Sequence, residues 1–118
     1  MNMKISKTDT KNFQKHGANM RRYINREDFP QASVLSIEVE GGHYEEFLHE
    51  KSTFIYYVLE GRGSFYLNGE ETKARPGDLI IAKPRTKIFY LGKMKLLLFA
   101  VPRWEEKYEK HVRDISHQ

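Results

Sequence analysis

The sequence predicts an all-β fold built from many short strands. Segments that alternate apolar and polar residues follow one another from Ala32 onward, as in 33–40. Gly, Pro and Asn residues separate these segments, and no helical periodicity interrupts them before Pro102. The 118 residues suffice for one domain with a single core. We therefore expect one domain over 1–118, with a small barrel or sandwich over 32–101.

The strands are predicted in chain order from this alternation. In 33–40, Leu35, Ile37 and Val39 share one face, and in 43–49 the alternation is weaker. Aromatic and β-branched residues predict a strand over 53–60, followed by a turn at 61–63 and a strand over 64–67. The dipeptide Asn68-Gly69 is typical of a hairpin turn. Further strands are predicted over 78–82, 87–91 and 93–101, with a break at Gly92.

The two ends of the chain are predicted to differ from the barrel. Residues 1–15 are polar and aperiodic, which indicates a mobile basic tail. After Pro102 four residues recur at helical spacing, and acidic residues occupy the first turn, where the helix dipole favours them. These four residues are Trp104, Tyr108, Val112 and Ile115. The pattern predicts a short amphipathic helix over 103–116 that covers the barrel or a dimer partner.

Composition excludes several classes of site and partner. Cysteine is absent, which excludes disulfides and thiolate metal sites. The net charge of +4 comes from residues 1–31, which hold seven Lys or Arg against three acids. The aromatic residues there are not interleaved with the basic ones in the manner of a base-stacking platform, so we do not expect a nucleic-acid partner. Neither a membrane-spanning apolar run nor the apolar core of a signal peptide is present, and a cytoplasmic protein is expected.

A regular spacing of glycines and aromatic residues identifies a family. Gly41 is followed by five residues, then Phe47-x-His49, four residues, Phe54, six residues and Gly61. A second segment, 76–78, follows about 15 residues later with the sequence PGD. This arrangement resembles the cupin superfamily. The resemblance implies a jelly-roll barrel, also called a double-stranded β-helix, over 32–101.

The sequence departs from that family at the positions that hold metal. Metal-binding cupins supply two histidines and a carboxylate from the first motif and one histidine from the second. Phe47, Phe54 and Ile88 occupy three of these positions, and only His49 matches. A divalent ion needs three or four nitrogen or oxygen ligands, so we expect neither a bound metal nor another cofactor. A different ligand set stays open, built around His43, Glu45 or Glu46.

The resemblance places His49 at the functional site. An imidazole among apolar side chains can act as an acid or a base near neutral pH. Alternatively it only packs, with a hydrogen bond to a backbone carbonyl or a tyrosine. Tyr56 and Tyr90 carry hydroxyls that need partners when buried, which makes them the other candidate catalytic residues. The expected ligand pocket consists of Phe47, His49, Phe54, Tyr56, Ile88 and Tyr90.

The sequence leaves the activity open between two main hypotheses. The first is a metal-free protein that binds a small organic molecule, such as a sugar or a sugar acid, in an aromatic-lined barrel. The alternative is a metal-independent sugar isomerase or epimerase, in which His49 and Tyr56 or Tyr90 serve as base and acid, by resemblance to cupin-like enzymes. A third possibility is a filled barrel that contacts a protein partner through the helix at 103–116.

A homodimer is predicted from two observations: the strand at 53–59 is apolar on both faces, and the predicted C-terminal helix carries an apolar stripe. One face would fill the barrel and the other would pack on a second sheet or another subunit. The inner set is Phe54, Tyr56 and Val58, and the outer set is Ile55, Tyr57 and Leu59.

Overall fold

A computed structural model describes residues 2–116 of the chain and confirms the all-β prediction. Over these residues nine antiparallel strands form one curled sheet, with short 3-10 turns at Lys7–Asp9 and Glu106–Tyr108. The strands are β1 (Lys11–Lys15), β2 (Ala18–Arg26), β3 (Phe29–Val39), β4 (Gly42–His49), β5 (Thr53–Leu67), β6 (Glu70–Ala74), β7 (Leu79–Ala82), β8 (Ile88–Val101) and β9 (Glu109–Asp114).

Strand β8 organises the sheet because it pairs with three others. The main path runs β1-β2-β3-β8-β4-β9, and β5 pairs with β8 along its length. Strands β6 and β7 pair with the two halves of β5. This arrangement curls the sheet around one apolar core, to which β2, β3, β4, β5 and β8 all contribute.

The two ends of the strand path approach each other, which closes the barrel. Lys15 of β1 forms an ion pair with Glu109 of β9, although these residues lie 94 positions apart. Next to this pair, the Tyr44 amide donates a hydrogen bond to the His16 carbonyl at 2.7 Å. The first and last strands therefore meet at the same rim.

The predicted alternation in β3 agrees with the observed burial. Leu35, Ile37 and Val39 are buried, whereas Glu38 between them is exposed. The Asn68-Gly69 hairpin also forms as predicted, with φ angles of 52° and 80°, and connects β5 to β6. These positive φ angles are the backbone conformation that a two-residue hairpin requires.

Two glycine breaks predicted from the sequence do not interrupt strands. Strand β5 runs without a break through Gly61 and Gly63, and β8 runs through Gly92. Gly63 pairs with Gly92 within the antiparallel ladder of the two long strands, and a Cβ on Gly92 would lie 2.6 Å from the Arg62 carbonyl oxygen. The glycines therefore permit close contact between two continuous strands, and the prediction of a turn and a break was wrong.

The prediction of a helix over 103–116 is also wrong. This segment contains the 3-10 turn at Glu106–Tyr108 and then β9, which pairs with β4. Hydrogen bonding to the free edge of β4 accounts for the extended conformation, since it satisfies the backbone groups of both strands. Trp104 packs against the core, so part of the apolar spacing reflects burial without a helix.

The N-terminal segment contains more structure than the predicted mobile tail. Residues 11–15 form β1, which pairs with β2 in regular register, and Phe13 packs against the core. Within residues 2–116, no helix has the length and apolar character needed to cross a membrane.

Candidate functional site

A cavity of about 340 Å³ lies inside the barrel, and we call it the barrel cavity. Its inner end is formed by buried side chains of β3, β4, β5 and β8. Its mouth is formed by half-buried or exposed side chains of β1, β2 and the segment after β8, namely Phe13, Lys15, Arg22, Asn25, Trp104, Glu106 and Glu109. Such a mostly apolar enclosure with a few polar groups is typical of a small-molecule site.

Three polar side chains meet at the inner end of the barrel cavity. His43 on β4 stacks on Tyr90 of β8, with ring centroids 5.3 Å apart. Tyr90 in turn lies edge-on to Tyr56 of β5 at 5.5 Å. All three residues line the cavity and are at most 2% exposed. An imidazole and two phenol hydroxyls are thus held together in a largely apolar space.

Hydrogen bonding determines which nitrogen of His43 carries the proton. Its Nδ1 lies 3.0 Å from the carbonyl oxygen of Glu45, which only accepts hydrogen bonds. Nδ1 is therefore the protonated nitrogen, and Nε2 carries the lone pair. Burial lowers the pKa of His43 from 6.5 to about 4, so the ring is neutral at pH 7. His43 therefore has a free lone pair on Nε2 at pH 7, with which it can accept a proton.

The two tyrosines are suited to donate hydrogen bonds. Burial raises the pKa of Tyr56 and of Tyr90 well above the usual value, because an anion would be poorly solvated in this apolar space. Both phenols therefore stay protonated throughout the physiological pH range. A protonated hydroxyl beside a neutral imidazole can stabilise negative charge that develops on a substrate oxygen.

An ion pair and an indole lie at the mouth of the cavity. Glu109 accepts a hydrogen bond from the Trp104 Nε1–H at 2.9 Å and pairs with Lys15. The Lys15 ammonium also lies 5.5 Å from the centre of the Trp104 ring. The charges of Lys15 and Glu109 are thus fixed at the rim, where they can contact hydroxyl groups of a ligand.

The structure places four of the six predicted pocket residues around the barrel cavity. Phe47, Phe54, Tyr56 and Tyr90 line it. Ile88 is buried in the core and does not contribute to the lining, and neither does His49.

His49 is bonded to backbone groups through both ring nitrogens. Its Nε2–H donates to the Glu105 carbonyl at 3.2 Å, and its Nδ1 accepts from the Ser52 amide at 2.9 Å. Burial lowers the pKa of His49, which favours the neutral ring needed for this arrangement. This hydrogen bonding corresponds to the alternative given in the sequence analysis, in which His49 packs and its imidazole donates a hydrogen bond to a backbone carbonyl.

The candidate metal ligands on β4 have other partners. Glu45 binds His111 at 2.8 Å, and Glu46 binds Arg113 at 2.9 Å. Among residues 2–116, no group of three or more His, Cys, Asp or Glu side chains is arranged to hold a metal ion. His43 faces the cavity as a single imidazole rather than as part of a ligand set.

The sequence contained a partial signal for His43 but not for the mouth. His43, Phe47 and His49 stand at alternate positions of the strand over 43–49 and so share one face in the sequence pattern, and family spacing favours His49. Strand β2 was missed because its inward positions include the polar residues Arg22 and Asn25, which removes the apolar alternation.

Comparison with known proteins identifies the family. Residues 33–87 match the model described as Cupin domain. Over 98% of its length the chain is also 39% identical to Pac13, described as a nucleoside dehydratase, and covers 95% of that protein with a TM-score of 0.93. This chain is a cupin.

Solved variants of the Streptomyces Pac13 protein, with uridine, match this cupin with the same TM-score of 0.93 and 38% identity. They cover 98% of this chain, which covers 94–95% of theirs. Two of them carry a Tyr-to-Phe replacement, and the third carries a His-to-Gln replacement.

More distant relatives share the fold or part of the sequence. KdgF from Halomonas sp. is 17% identical with a TM-score of 0.75, over 91% of this cupin and 99% of that chain, which shows the fold alone. An uncharacterized protein of Methanocaldococcus jannaschii is 36% identical over 63 residues. That match spans half of this chain and half the length of the relative.

Proposed function

We propose that this cupin is a dehydratase that removes water from a nucleoside-type substrate bound in the barrel cavity. The observation that supports it most strongly is the cluster of His43, Tyr56 and Tyr90 at the inner end of that cavity. The cluster combines a neutral base with two hydroxyl donors, which are the groups that elimination of water requires.

The spacing of these three residues supports a link to Pac13. In the Pac13 variants the replaced histidine precedes the first replaced tyrosine by 13 residues, and the second tyrosine follows 34 residues later. His43, Tyr56 and Tyr90 have the same spacing of 13 and 34 residues. We infer that the three residues altered in the Pac13 variants correspond to the cluster in this chain.

The proposed reaction is a β-elimination. His43 Nε2 removes a proton from a carbon next to a carbonyl group, since a neutral imidazole is too weak a base for an unactivated sugar C–H bond. The electron pair of that C–H bond moves onto the carbonyl group and forms an enolate. The enolate then regenerates the carbonyl and forms the C=C bond as the C–O bond to the hydroxyl on the adjacent carbon breaks. As that bond breaks, the hydroxyl takes the proton carried by His43 and leaves as water.

The tyrosines stabilise charge in this scheme and are not deprotonated. Because their pKa values are raised, transfer of a phenol proton is unfavourable. Tyr56 and Tyr90 instead donate hydrogen bonds to the oxygen atoms of the substrate, including the enolate oxygen that forms after proton removal. At the mouth, Lys15 and Glu109 position sugar hydroxyls.

The test is incubation of the purified protein with a panel of nucleosides and their carbonyl-containing oxidised forms, followed by mass spectrometry. We expect loss of one water from a carbonyl-containing nucleoside, and at least about a hundredfold slower loss in His43→Gln. Tyr90→Phe should lower the rate and retain binding. The matched controls are His111→Gln and Tyr66→Phe, which alter the same residue types outside the cavity.

Other outcomes would replace the dehydratase proposal. Exchange of substrate hydrogen with solvent deuterium, without loss of water, would favour the isomerase alternative, because the proton would then return to carbon. Tight binding of nucleosides with neither exchange nor water loss would favour a binding protein.

We also propose that the protein forms a homodimer through the outer face of β5, β7 and β8. Large apolar side chains on that face are exposed, and adjacent strands place them side by side. They are Tyr57, Leu59, Leu79, Ile81 and Val101.

A further inference from the structure

Two polar side chains at the mouth of the barrel cavity are not used by the proposed chemistry. Arg22 and Asn25 both line the cavity and are half-buried. Among the described residues, no carboxylate lies within ion-pair distance of Arg22. Its guanidinium lies over the ring of Phe13, 5.1 Å from the ring centre. A cation and an amide thus face the ligand space beside an aromatic ring.

A register shift in β2 places the side chains of Arg22 and Asn25 on the same face of the strand. Arg22 pairs with Leu35, whereas Ile24 pairs with Val34, so β2 contains one extra residue between these pairs. Side chains alternate along a strand, so a regular strand would place Asn25 on the face opposite to Arg22. The irregularity therefore brings a second polar group into the cavity, as β-bulges commonly do beside binding sites.

A hydrogen-bond chain fixes the orientation of the Asn25 amide. The backbone N–H of Trp104 donates to Ser33 Oγ at 2.8 Å, and Ser33 Oγ–H donates to Asn25 Oδ1 at 2.7 Å. Ser33 is fully buried, so its hydroxyl proton would lack an acceptor if the Asn25 amide were reversed. The Asn25 oxygen is therefore the atom directed at Ser33, and its NH₂ group remains to bind a ligand.

Arg22 and Asn25 consequently present mainly hydrogen-bond donors to the cavity. A guanidinium has no acceptor, and the Asn25 oxygen uses one of its two lone pairs for Ser33. Aromatic rings at the same end, those of Phe13 and Trp104, offer surfaces on which a base can stack. A ligand group bound here must supply acceptors and a flat ring.

We propose that Arg22 and Asn25 form a nucleobase subsite that selects a pyrimidine with carbonyl oxygens, as in uracil, over one with an amino group, as in cytosine. The two bases differ on one edge: uracil has a carbonyl acceptor at position 4 and an N3–H donor, whereas cytosine has an NH₂ donor at position 4 and an N3 acceptor. We assign the Arg22 and Asn25 donors to position 4, where the uracil carbonyl pairs with them and the cytosine NH₂ leaves donors unpaired on both sides, which costs binding free energy. The inference rests on the proposed function, because it takes the ligand to be a nucleoside.

The test compares uridine and cytidine binding by isothermal titration calorimetry. The unmodified protein should bind uridine at least about tenfold more tightly than cytidine. Asn25→Asp keeps the oxygen that accepts from Ser33 but replaces the NH₂ donor with an acceptor. That variant should lose at least about tenfold in uridine affinity, and its ratio of uridine to cytidine affinity should fall toward one or below.

Asn12→Asp is the matched control, because it makes the same change at an exposed position on β1 outside the barrel cavity. Its preference for uridine should equal that of the unmodified protein. Arg22→Gln, which retains an NH₂ donor, provides a second variant if Asn25→Asp does not fold. It should weaken binding of uridine more than binding of cytidine.

The outcomes separate this inference from the function on which it rests. Equal binding of uridine and cytidine by the unmodified protein overturns the subsite and leaves the nucleoside site intact. Binding of neither nucleoside overturns both. If uridine 5′-monophosphate binds more tightly than uridine, and Arg22→Gln removes that advantage, Arg22 holds a phosphate and its assignment to the base is wrong.

Discussion

At the scale of single residues, the two histidines of β4 differ in which nitrogen carries the proton. His43 donates through Nδ1 to the Glu45 carbonyl, whereas His49 accepts at Nδ1 from the Ser52 amide and donates through Nε2. Both rings are neutral, but only His43 lines the barrel cavity. In the proposed reaction the His43 ring therefore supplies the base, whereas the His49 ring connects backbone segments.

The acid stability of the protein should depend on His43. Below pH 6.5 the unfolded chain takes up a proton on this side chain, whereas the folded protein does not until the pH approaches about 4. Stability from this group is thus present above pH 6.5 and is lost as the pH falls toward 4. Denaturant unfolding measures this effect. As the pH falls toward 4, the free energy of unfolding of His43→Gln should decrease less than that of the unmodified protein, by up to about 3 kcal/mol.

His111→Gln is the control with the opposite sign. A hydrogen bond to Glu45 raises the pKa of His111, so this group adds stability at low pH that is lost as the pH rises. In His111→Gln the free energy of unfolding should therefore decrease more steeply as the pH falls. Equal pH dependence of the unfolding free energy in the unmodified protein and in His43→Gln would contradict the lowered pKa of His43.

At the scale of elements, the long paired strands β5 and β8 form the wall that holds both tyrosines. Tyr56 and Tyr90 lie on these strands, and Gly63 of β5 pairs with Gly92 of β8 in the same ladder. The cross-strand contact of Gly63 with Gly92 allows a backbone approach that any Cβ would prevent. The relative position of the two hydroxyls therefore depends on residues outside the cavity.

Replacing Gly61 by alanine should destabilise the protein more than the same change at Gly69. Both residues have positive φ, 83° and 80°, so both changes incur the conformational cost of about 1 kcal/mol. A Cβ at Gly61 would also lie 2.0 Å from the Lys93 carbonyl oxygen, whereas at Gly69 it would meet open space. Thermal or denaturant unfolding should show at least twice the loss for Gly61→Ala, and equal losses would contradict the close packing of β5 on β8.

The sequence predicted strands well where one face is uniformly apolar and poorly where it is not. Alternation in β3 follows directly from burial of one face, and a hairpin dipeptide specifies its own turn. Glycine is ambiguous because it marks both a turn and a close approach of strands, so Gly61 and Gly92 were misassigned. The C-terminal spacing of apolar residues suits a helix, but pairing with β4 is a tertiary interaction that no local pattern contains.

The candidate site was predicted in part for a similar reason. Tyr56 and Tyr90 could be found because apolar strands place them inward. His43 and His49 share a face of one strand, and only the turn at 49–52, whose amides bind the His49 ring, separates their roles. The mouth combines residues distant in sequence, such as Lys15 and Glu109, and no spacing rule connects them.

At the scale of the whole molecule, the outer face of β5, β7 and β8 differs from the rest of the surface. Leu79 and Ile81 are 54% and 55% exposed, and their strand neighbours Tyr57 and Ile55 extend the apolar area. Contiguous apolar surface of this kind marks an interaction site in soluble proteins. The proposed homodimer would bury it and leave the cavity mouth, at the ends of β1 and β9, accessible.

Ile81→Glu should convert a dimer into a monomer. The side chain is exposed in the single chain, so the change should leave the fold intact and place charge within the buried interface. Sedimentation equilibrium at micromolar concentration should give twice the chain mass for the unmodified protein and one chain mass for the variant. Thr72→Glu, on the exposed strand β6, should remain dimeric. A single-chain mass for the unmodified protein would contradict the dimer.

The ion pair of Lys15 with Glu109 has a consequence for synthesis of the protein. A nascent chain that has left the ribosome only as far as β8 already contains His43, Tyr56 and Tyr90. It still lacks Trp104 and Glu109, so the rim of the pocket is incomplete and the ammonium of Lys15 has no counter-ion there. If the cavity binds a ligand as proposed, binding therefore requires nearly the whole polypeptide, and an incomplete translation product would contain His43, Tyr56 and Tyr90 without a complete pocket around them.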